Sequence, residues 1–142
     1  MKRQYWTARR VALALLIAFV PWGYGYWWVR TWEPVNVVLD QLRAIEEGQH
    51  WRAYEYLSAS ARKKLSLSEF RTLIEENSIL EDPYSIKFPS RNIEGNTATI
   101  SGLIEGYGEY SSDAKYVLIR KDGQWRIESF EWGPLRREAS RK

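Results

Sequence analysis

Residues 116–130 read YVLIRKDGQWRIESF and carry the clearest structural signal in the chain. Asp122-Gly123 is a two-residue turn signal, and apolar residues alternate with polar ones in the segment that follows it. This pattern predicts a β-hairpin with strands at residues 114–121 and 124–132.

The sheet extends upstream of this hairpin. Residues 96–104 alternate with a period of two, which places Ala98, Ile100 and Ile104 on one face of a predicted strand. Residues 85–88 and 91–93 are short and polar, and they predict an edge strand interrupted by Pro89. The Gly-Tyr-Gly-Glu-Tyr segment at 106–110 is predicted to be a loop between strands.

The first half of the domain has helical periodicity. Pro34 suits the first turn of a helix, and apolar residues recur at helical spacing from Val35 until Gly48 ends the run. A short second helix begins near Gln49 and ends at Ser58-Ala59-Ser60. Its predicted buried face contains Trp51, Tyr54 and Leu57.

A third helix is predicted from a capping box, Ser66-Leu-Ser-Glu69, in which the serine hydroxyl and the glutamate carboxylate satisfy free N–H groups at a helix start. Phe70, Leu73 and Ile74 give this helix an apolar stripe. The predicted fold class is therefore α+β, with three helices packed on a curved antiparallel sheet over residues 34–132.

An uncharged run of nineteen residues, Val11 to Val29, lies upstream of this domain. As a helix it would be roughly 28 Å long, close to the hydrocarbon thickness of a bilayer. We predict a transmembrane helix at residues 11–30 behind a basic N-terminal segment at 1–10. Four basic residues before the run predict a cytoplasmic N-terminus and an extracytoplasmic domain, at a plasma or inner membrane or an internal one such as a thylakoid.

Aromatic residues bracket the uncharged run, and we expect them to contact the membrane interface or a partner. Gly23 and Gly25 would let a neighbouring membrane helix approach closely. The predicted contact residues are Tyr5, Trp6, Trp22, Tyr24, Tyr26, Trp27, Trp28 and Trp32.

A cleaved signal peptide is the competing interpretation of this run. It would have a ten-residue apolar core, Pro21 as a helix breaker and Gly23-Tyr24-Gly25 as a small-x-small cleavage site. The tract continues past Gly25 into Tyr-Trp-Trp-Val, which fits an interfacial anchor better than the start of a mature soluble chain.

The charge distribution argues against a nucleic-acid partner. The chain has a net charge of +3, but residues 30–135 hold 13 basic and 17 acidic residues, a net charge of −4. The positive charge lies at the two ends of the chain. The basic tail at 133–142 is predicted to be disordered. Binding of this tail to lipid headgroups or to an acidic partner is the alternative interpretation.

The sequence predicts no catalytic, cofactor or metal site. Cysteine is absent, which excludes disulfides, thiolate nucleophiles and sulfur-ligated metals. His50 is the only histidine, and no Gly-x-Ser-x-Gly elbow, phosphate loop or metal-ligand spacing accompanies it. Glu46-Glu47 and Glu75-Glu76 are adjacent on helices and therefore point in different directions.

Three segments together resemble the nuclear transport factor 2-like superfamily: LRAIEEGQHWRAYEYLSASARKKLS at 42–66, LSEFRTLI at 67–74 and the hairpin at 116–130. The resemblance covers about residues 34–132 and implies a cone of three helices against a bent sheet. It also implies a homodimer through the sheet, which is common in the superfamily.

Enzymes of this superfamily place a carboxylate or histidine with a tyrosine inside the cone. A pocket of this kind in the present chain would be lined by Asp40, Tyr54, Tyr116 and Trp125, with Tyr107 as a further residue able to face the interior.

The leading hypothesis is a non-catalytic, single-pass membrane protein whose cone domain is an interaction or assembly module, an accessory subunit of a larger membrane complex. In architecture it is similar to the inner-membrane scaffold component of type IV secretion systems. The alternative is a membrane-tethered cone that binds a small molecule or lipid, with or without catalysis.

Overall fold

The computed structural model describes residues 33–137, in which helices precede an antiparallel sheet. This confirms the α+β class predicted from the periodicity. Within this range no helix is both long and apolar enough to cross a membrane. The predicted transmembrane helix at 11–30 lies outside the described residues.

The elements are α1 (residues 33–46), α2 (His50–Glu55), α3 (Ala59–Lys64), α4 (Leu67–Glu75), a 3₁₀ turn (Ser78–Leu80), β1 (Pro83–Glu94), β2 (Thr97–Gly106), β3 (Tyr110–Lys121), β4 (Gln124–Trp132) and β5 (Arg136–Arg137).

Helix α3 was not predicted. Ser58, which we interpreted as part of a break, is the N-cap of this helix, and its hydroxyl accepts a hydrogen bond from the Ala61 N–H at 3.0 Å. Ala61 is the one buried residue of α3, so the segment has no apolar stripe to reveal it. The predicted buried position of Trp51 was wrong, since this side chain is 56% exposed, whereas Leu57 is buried as predicted and Ala53 is also buried.

The capping box of α4 is confirmed. The Glu69 N–H donates to the Ser66 hydroxyl at 3.2 Å, and the Ser66 N–H donates to the Glu69 carboxylate at 2.7 Å. The hydrogen bond from the Ser66 N–H, followed by one from the Ser66 hydroxyl, holds the pKa of the Glu69 carboxyl below its ordinary value. Phe70 and Ile74 follow at helical spacing and are fully buried against the sheet side of the core.

The sheet has the order β1-β2-β3-β4 with every neighbouring pair antiparallel, and β5 pairs with β3. The hairpin turn is as predicted, because Asp122 and Gly123 both have a positive φ, 52° and 76°, as a type I′ turn requires. β1 is the predicted edge strand, but it continues through Pro89 with a register shift between Lys87 and Ser90 in place of a break. A Cβ on Gly102 would lie 1.9 Å from the Lys87 carbonyl oxygen, so this bulge requires glycine opposite it.

A second bulge lies in β4. Val117 pairs with Ser129 while the next residue, Leu118, pairs with Ile127, so Glu128 is an extra residue in the strand. Because one residue is inserted, the side chains before and after it can face the same side of the sheet. The residues of β4 that pack in the core are accordingly Trp125, Ile127, Phe130 and Trp132.

The helical layer is joined to the sheet at this bulge. The Ser58 N–H donates to the Ile127 carbonyl at 2.8 Å, and the Ile127 N–H donates to the Tyr56 carbonyl at 2.9 Å, which makes a parallel bridge between Leu57 and Ile127. The Ser58 hydroxyl also donates to the Glu128 carboxylate at 2.5 Å. One serine therefore caps α3 and binds the extra residue of β4.

The first part of the basic tail is ordered, contrary to prediction. The Gly133 N–H donates to the Asp113 carbonyl at 2.8 Å, and the Arg136 guanidinium pairs with the Asp113 carboxylate. Arg136 and Arg137 then align with Ser111 and Tyr110 as β5. Residues 138–142 lie outside the described part of the chain.

We expect Ser58→Ala to lower the free energy of unfolding by about 1–2 kcal/mol, because it removes both the cap of α3 and the bond to Glu128. Urea unfolding of the detergent-solubilised full chain measures this change. Ser60→Ala, at an exposed position of the same helix, is the matched control, for which we expect a change within about 0.5 kcal/mol. Equal effects of the two substitutions would show that Ser58 does not join the layers.

Candidate functional site

The interior between the helices and the sheet is filled by side chains. Tyr116 lies fully buried at its centre, and its hydroxyl accepts a hydrogen bond from the Trp132 indole N–H at 2.7 Å. Burial raises the pKa of the Tyr116 hydroxyl. The rings of Phe70 and Phe130 meet edge to face with centres 5.8 Å apart. The middle of the cone is therefore a packed aromatic core.

The four residues predicted to line a pocket do not meet in one. Tyr116 is in the core just described. Trp125 is buried, and the Arg120 guanidinium lies over its ring, 5.5 Å from the ring centre. Tyr54 donates its hydroxyl proton to the Leu65 carbonyl at 2.6 Å and so ties α2 to the end of α3. Asp40 is half exposed on α1 and pairs with Arg43 at 3.3 Å. None of the four lines either of the cavities described below.

His50 is half-buried in the first turn of α2. Among residues 33–137 no group of three or more histidines and carboxylates is placed to hold a metal ion. The predicted membrane or partner contacts, from Tyr5 to Trp32, lie outside the described residues.

Three tyrosines surround an open cavity of about 410 Å³ at the end of the sheet where β1 begins and β2 turns into β3. Tyr84, Tyr107 and Tyr110 are 70%, 65% and 40% exposed, so each presents a large part of its ring to solvent. We call this the tyrosine cavity. Its lining residues are Tyr84, Lys87, Glu105, Gly106, Tyr107, Gly108, Glu109, Tyr110 and Ser111.

Sheet register and turn geometry bring these tyrosines together. Pro83 pairs with Gly106, which places Tyr84 beside Tyr107, and the two rings meet edge to face at 5.5 Å. Gly108 and Glu109 both have a positive φ, 74° and 64°, in the turn that leads to Tyr110. A left-handed glutamate is an uncommon conformation in proteins, and such residues concentrate at binding sites.

Tyr107 therefore lies at the surface. It was predicted from the sequence as a residue able to face the interior of the cone. The Gly-Tyr-Gly-Glu-Tyr segment was predicted only as a loop. Its two tyrosines in a glycine-rich turn were the available signal for a binding site, but the arrival of Tyr84 beside them depends on the pairing of β1 with β2.

An ion pair forms one wall of the tyrosine cavity. The Lys87 ammonium lies 2.7 Å from the Glu105 carboxylate, on adjacent strands. The hydrogen bond from Lys87, followed by one from the Ser85 hydroxyl, holds the pKa of the Glu105 carboxyl below its ordinary value of 4.5. Glu105 is therefore ionised at neutral pH.

A second open cavity, of about 420 Å³, lies along β2, β3 and the segment after β4. Half of its lining residues are polar or charged, the others are small or proline, and none is aromatic: Ser101, Gly102, Asp113, Ala114, Lys115, Glu131, Gly133 and Pro134. The tyrosine cavity is the better candidate binding site, because exposed aromatic rings supply more contact area per side chain.

Residues 32–139 match a protein family described as a domain of unknown function, DUF4864. The chain belongs to the DUF4864 family. No curated protein matches it in sequence. In structure, the DUF4864 domain is similar to a crystal structure of a protein from Campylobacter jejuni named "Putative NTF2-like transpeptidase".

That similarity has a TM-score of 0.57 at 14% sequence identity and covers 68% of this chain and 98% of the C. jejuni chain. At 14% sequence identity, this similarity shows that the two proteins share a fold. The DUF4864 domain thus has an NTF2-like fold, as the sequence resemblance implied.

We expect Lys87→Met to raise the pKa of Glu105 toward 4.5, measured by NMR titration of its carboxyl carbon. A carboxyl whose pKa is depressed in the folded state stabilises the protein above its unfolded pKa, and this stability is lost as the pH falls through the folded value. Lys87→Met should therefore lower stability at about pH 7 and have a smaller effect at about pH 3. Lys115→Met, on the exposed side of β3, is the control. A stability loss independent of pH would contradict the role of the ion pair.

Proposed function

We propose that this DUF4864 protein is a non-catalytic, single-pass membrane protein whose NTF2-like domain serves as an interaction module beside a larger membrane complex. The tyrosine cavity is its contact site. The observation that carries this proposal is the group of three exposed tyrosines, Tyr84, Tyr107 and Tyr110, which fixed strands and a turn hold around one open cavity.

Exposed aromatic rings on a rigid frame favour partner recognition. Tyrosine supplies a large contact area while losing little conformational freedom on binding, and it is enriched among the residues that dominate interface energies. Tyr84 belongs to β1 and Tyr110 to β3, and Tyr107 lies in the short turn that joins β2 to β3. A partner would therefore meet rings that are already positioned.

The membrane part of the proposal rests on the sequence. The uncharged run from Val11 to Val29 has the length of a bilayer span and ends only a few residues before α1. A domain tethered this closely would meet partners in or beside the membrane. The basic residues before the run support a cytoplasmic N-terminus and an extracytoplasmic domain.

Binding of a small molecule or lipid in the tyrosine cavity is the second candidate. Its volume of about 410 Å³ is within the range of small-molecule sites, and its lining combines aromatic rings with a few polar groups.

Photo-crosslinking in the native host tests this proposal. With Tyr107 replaced by p-benzoylphenylalanine, we expect discrete adducts between the chain and another membrane-associated protein. A pull-down from gently solubilised membranes should recover the same protein, and Tyr84→Ala combined with Tyr107→Ala should reduce that recovery by about tenfold or more.

Trp51 offers a matched control, because it is 56% exposed but lies on α2, away from the cavity. The same crosslinker at position 51 should give no such adduct, and Trp51→Ala should leave the recovery unchanged. Recovery of the chain alone, at monomer size, would contradict the interaction role. Adducts formed only with a lipid or small molecule would favour the second candidate.

A further inference from the structure

The carboxylates around the tyrosine cavity restrict what it can bind. Glu109 lines the cavity. Glu81 and Asp82 come directly before Pro83, which pairs with the lining residue Gly106. All three are exposed, and none has an ion-pair partner among residues 33–137. Unpaired carboxylates at one edge of a cavity attract a cationic ligand.

Nearby cations do not cancel this charge. Lys87 is paired with Glu105 across the strands, and Arg137 lies opposite Tyr110 in the register of β5. Arg136, opposite the lining residue Ser111, is paired with Asp113. Among residues 33–137 these three cations face five carboxylates at this end of the sheet, a sum of −2: Glu81, Asp82, Glu105, Glu109 and Asp113.

Tyrosine rings favour the same kind of ligand. The face of an aromatic ring is electron-rich and attracts a cation placed over it, most often a guanidinium. Tyr84 and Tyr107 meet edge to face, so their faces point in different directions and enclose a corner between them. A planar guanidinium can stack on one ring and pair with a carboxylate at the same time, which a lysine ammonium does less well.

We infer that the tyrosine cavity binds an arginine-bearing segment of a protein partner, with the guanidinium stacked on Tyr84 or Tyr107 and paired with Glu109, Glu81 or Asp82. This inference rests on the proposed interaction role and adds the chemistry of the partner. The unpaired carboxylates disfavour an acidic peptide, and an uncharged ligand would leave them without a role in binding.

Peptide binding to the detergent-solubilised full chain tests the inference. The probe is a dye-labelled acetyl-Gly-Arg-Gly-Arg-Gly-amide, and its matched control carries citrulline, which keeps the shape of arginine without its charge. By fluorescence anisotropy we expect the arginine peptide to bind about tenfold or more tightly than the citrulline peptide. Its affinity should fall as the salt concentration rises, because part of the attraction is electrostatic.

Two sets of variants separate this cavity from the rest of the surface. Tyr84→Ala with Tyr107→Ala, and separately Glu81→Gln with Asp82→Asn and Glu109→Gln, should each weaken arginine-peptide binding by about fivefold or more. Trp51→Ala and the pair Glu75→Gln with Glu76→Gln remove an exposed ring and exposed carboxylates elsewhere, and should change the affinity less than twofold. All the variants alter surface side chains, and circular dichroism verifies that they fold.

Equal affinity for the arginine and citrulline peptides would overturn the inference, as would equal losses in the cavity variants and in their controls. Tighter binding of choline than of the arginine peptide would overturn it in favour of a quaternary ammonium ligand. If the crosslinker at position 107 forms adducts in cells but the purified chain does not bind the arginine peptide, the cationic ligand is refuted and the interaction role stands. Arginine-peptide binding without any adduct in cells would instead contradict the interaction role.

Discussion

The bridge between Leu57 and Ile127 is the contact on which the arrangement of helices and sheet depends. Leu57 lies between α2 and α3 in the chain, and it pairs with the edge of β4 that does not face β3. This backbone pairing therefore positions two helices on the sheet. Ser58 reinforces it from the helical side and Glu128 from the strand side. The same β4 bulge brings Phe130 and Trp132 to the core, where they surround Tyr116.

Much of this fold could be predicted from the sequence, because periodicity, caps and turns are local signals. Asp122-Gly123 predicted the hairpin, and Ser66 with Glu69 predicted the start of α4, each from a few neighbouring residues. The bulge at Glu128 and the helix after Ser58 could not be predicted in this way. The bulge is stabilised by a contact between residues 70 positions apart, and the segment after Ser58 has no apolar periodicity that reveals a helix.

The candidate site was less predictable for a related physical reason. The family resemblance predicts a pocket in the interior of the cone, but this chain fills that interior with Tyr116, Phe70 and their neighbours. Its exposed aromatic residues lie at the end of the sheet instead. A tyrosine in a sequence is compatible with a core or a surface, and only the pairing of Pro83 with Gly106 assembles Tyr84 and Tyr107 into one cavity.

The bulge at Pro89 also has a consequence for how copies of the domain can meet. β1 is one of the two edge strands in the order β1-β2-β3-β4, and an unprotected edge is a template for strand addition and for amyloid-like growth. Proline offers no N–H to an incoming strand, and the shift between Lys87 and Ser90 breaks the spacing that a continuous ladder requires. Extension of the sheet from one copy to the next is thus interrupted at this edge, so many copies can crowd together without fibre growth from β1.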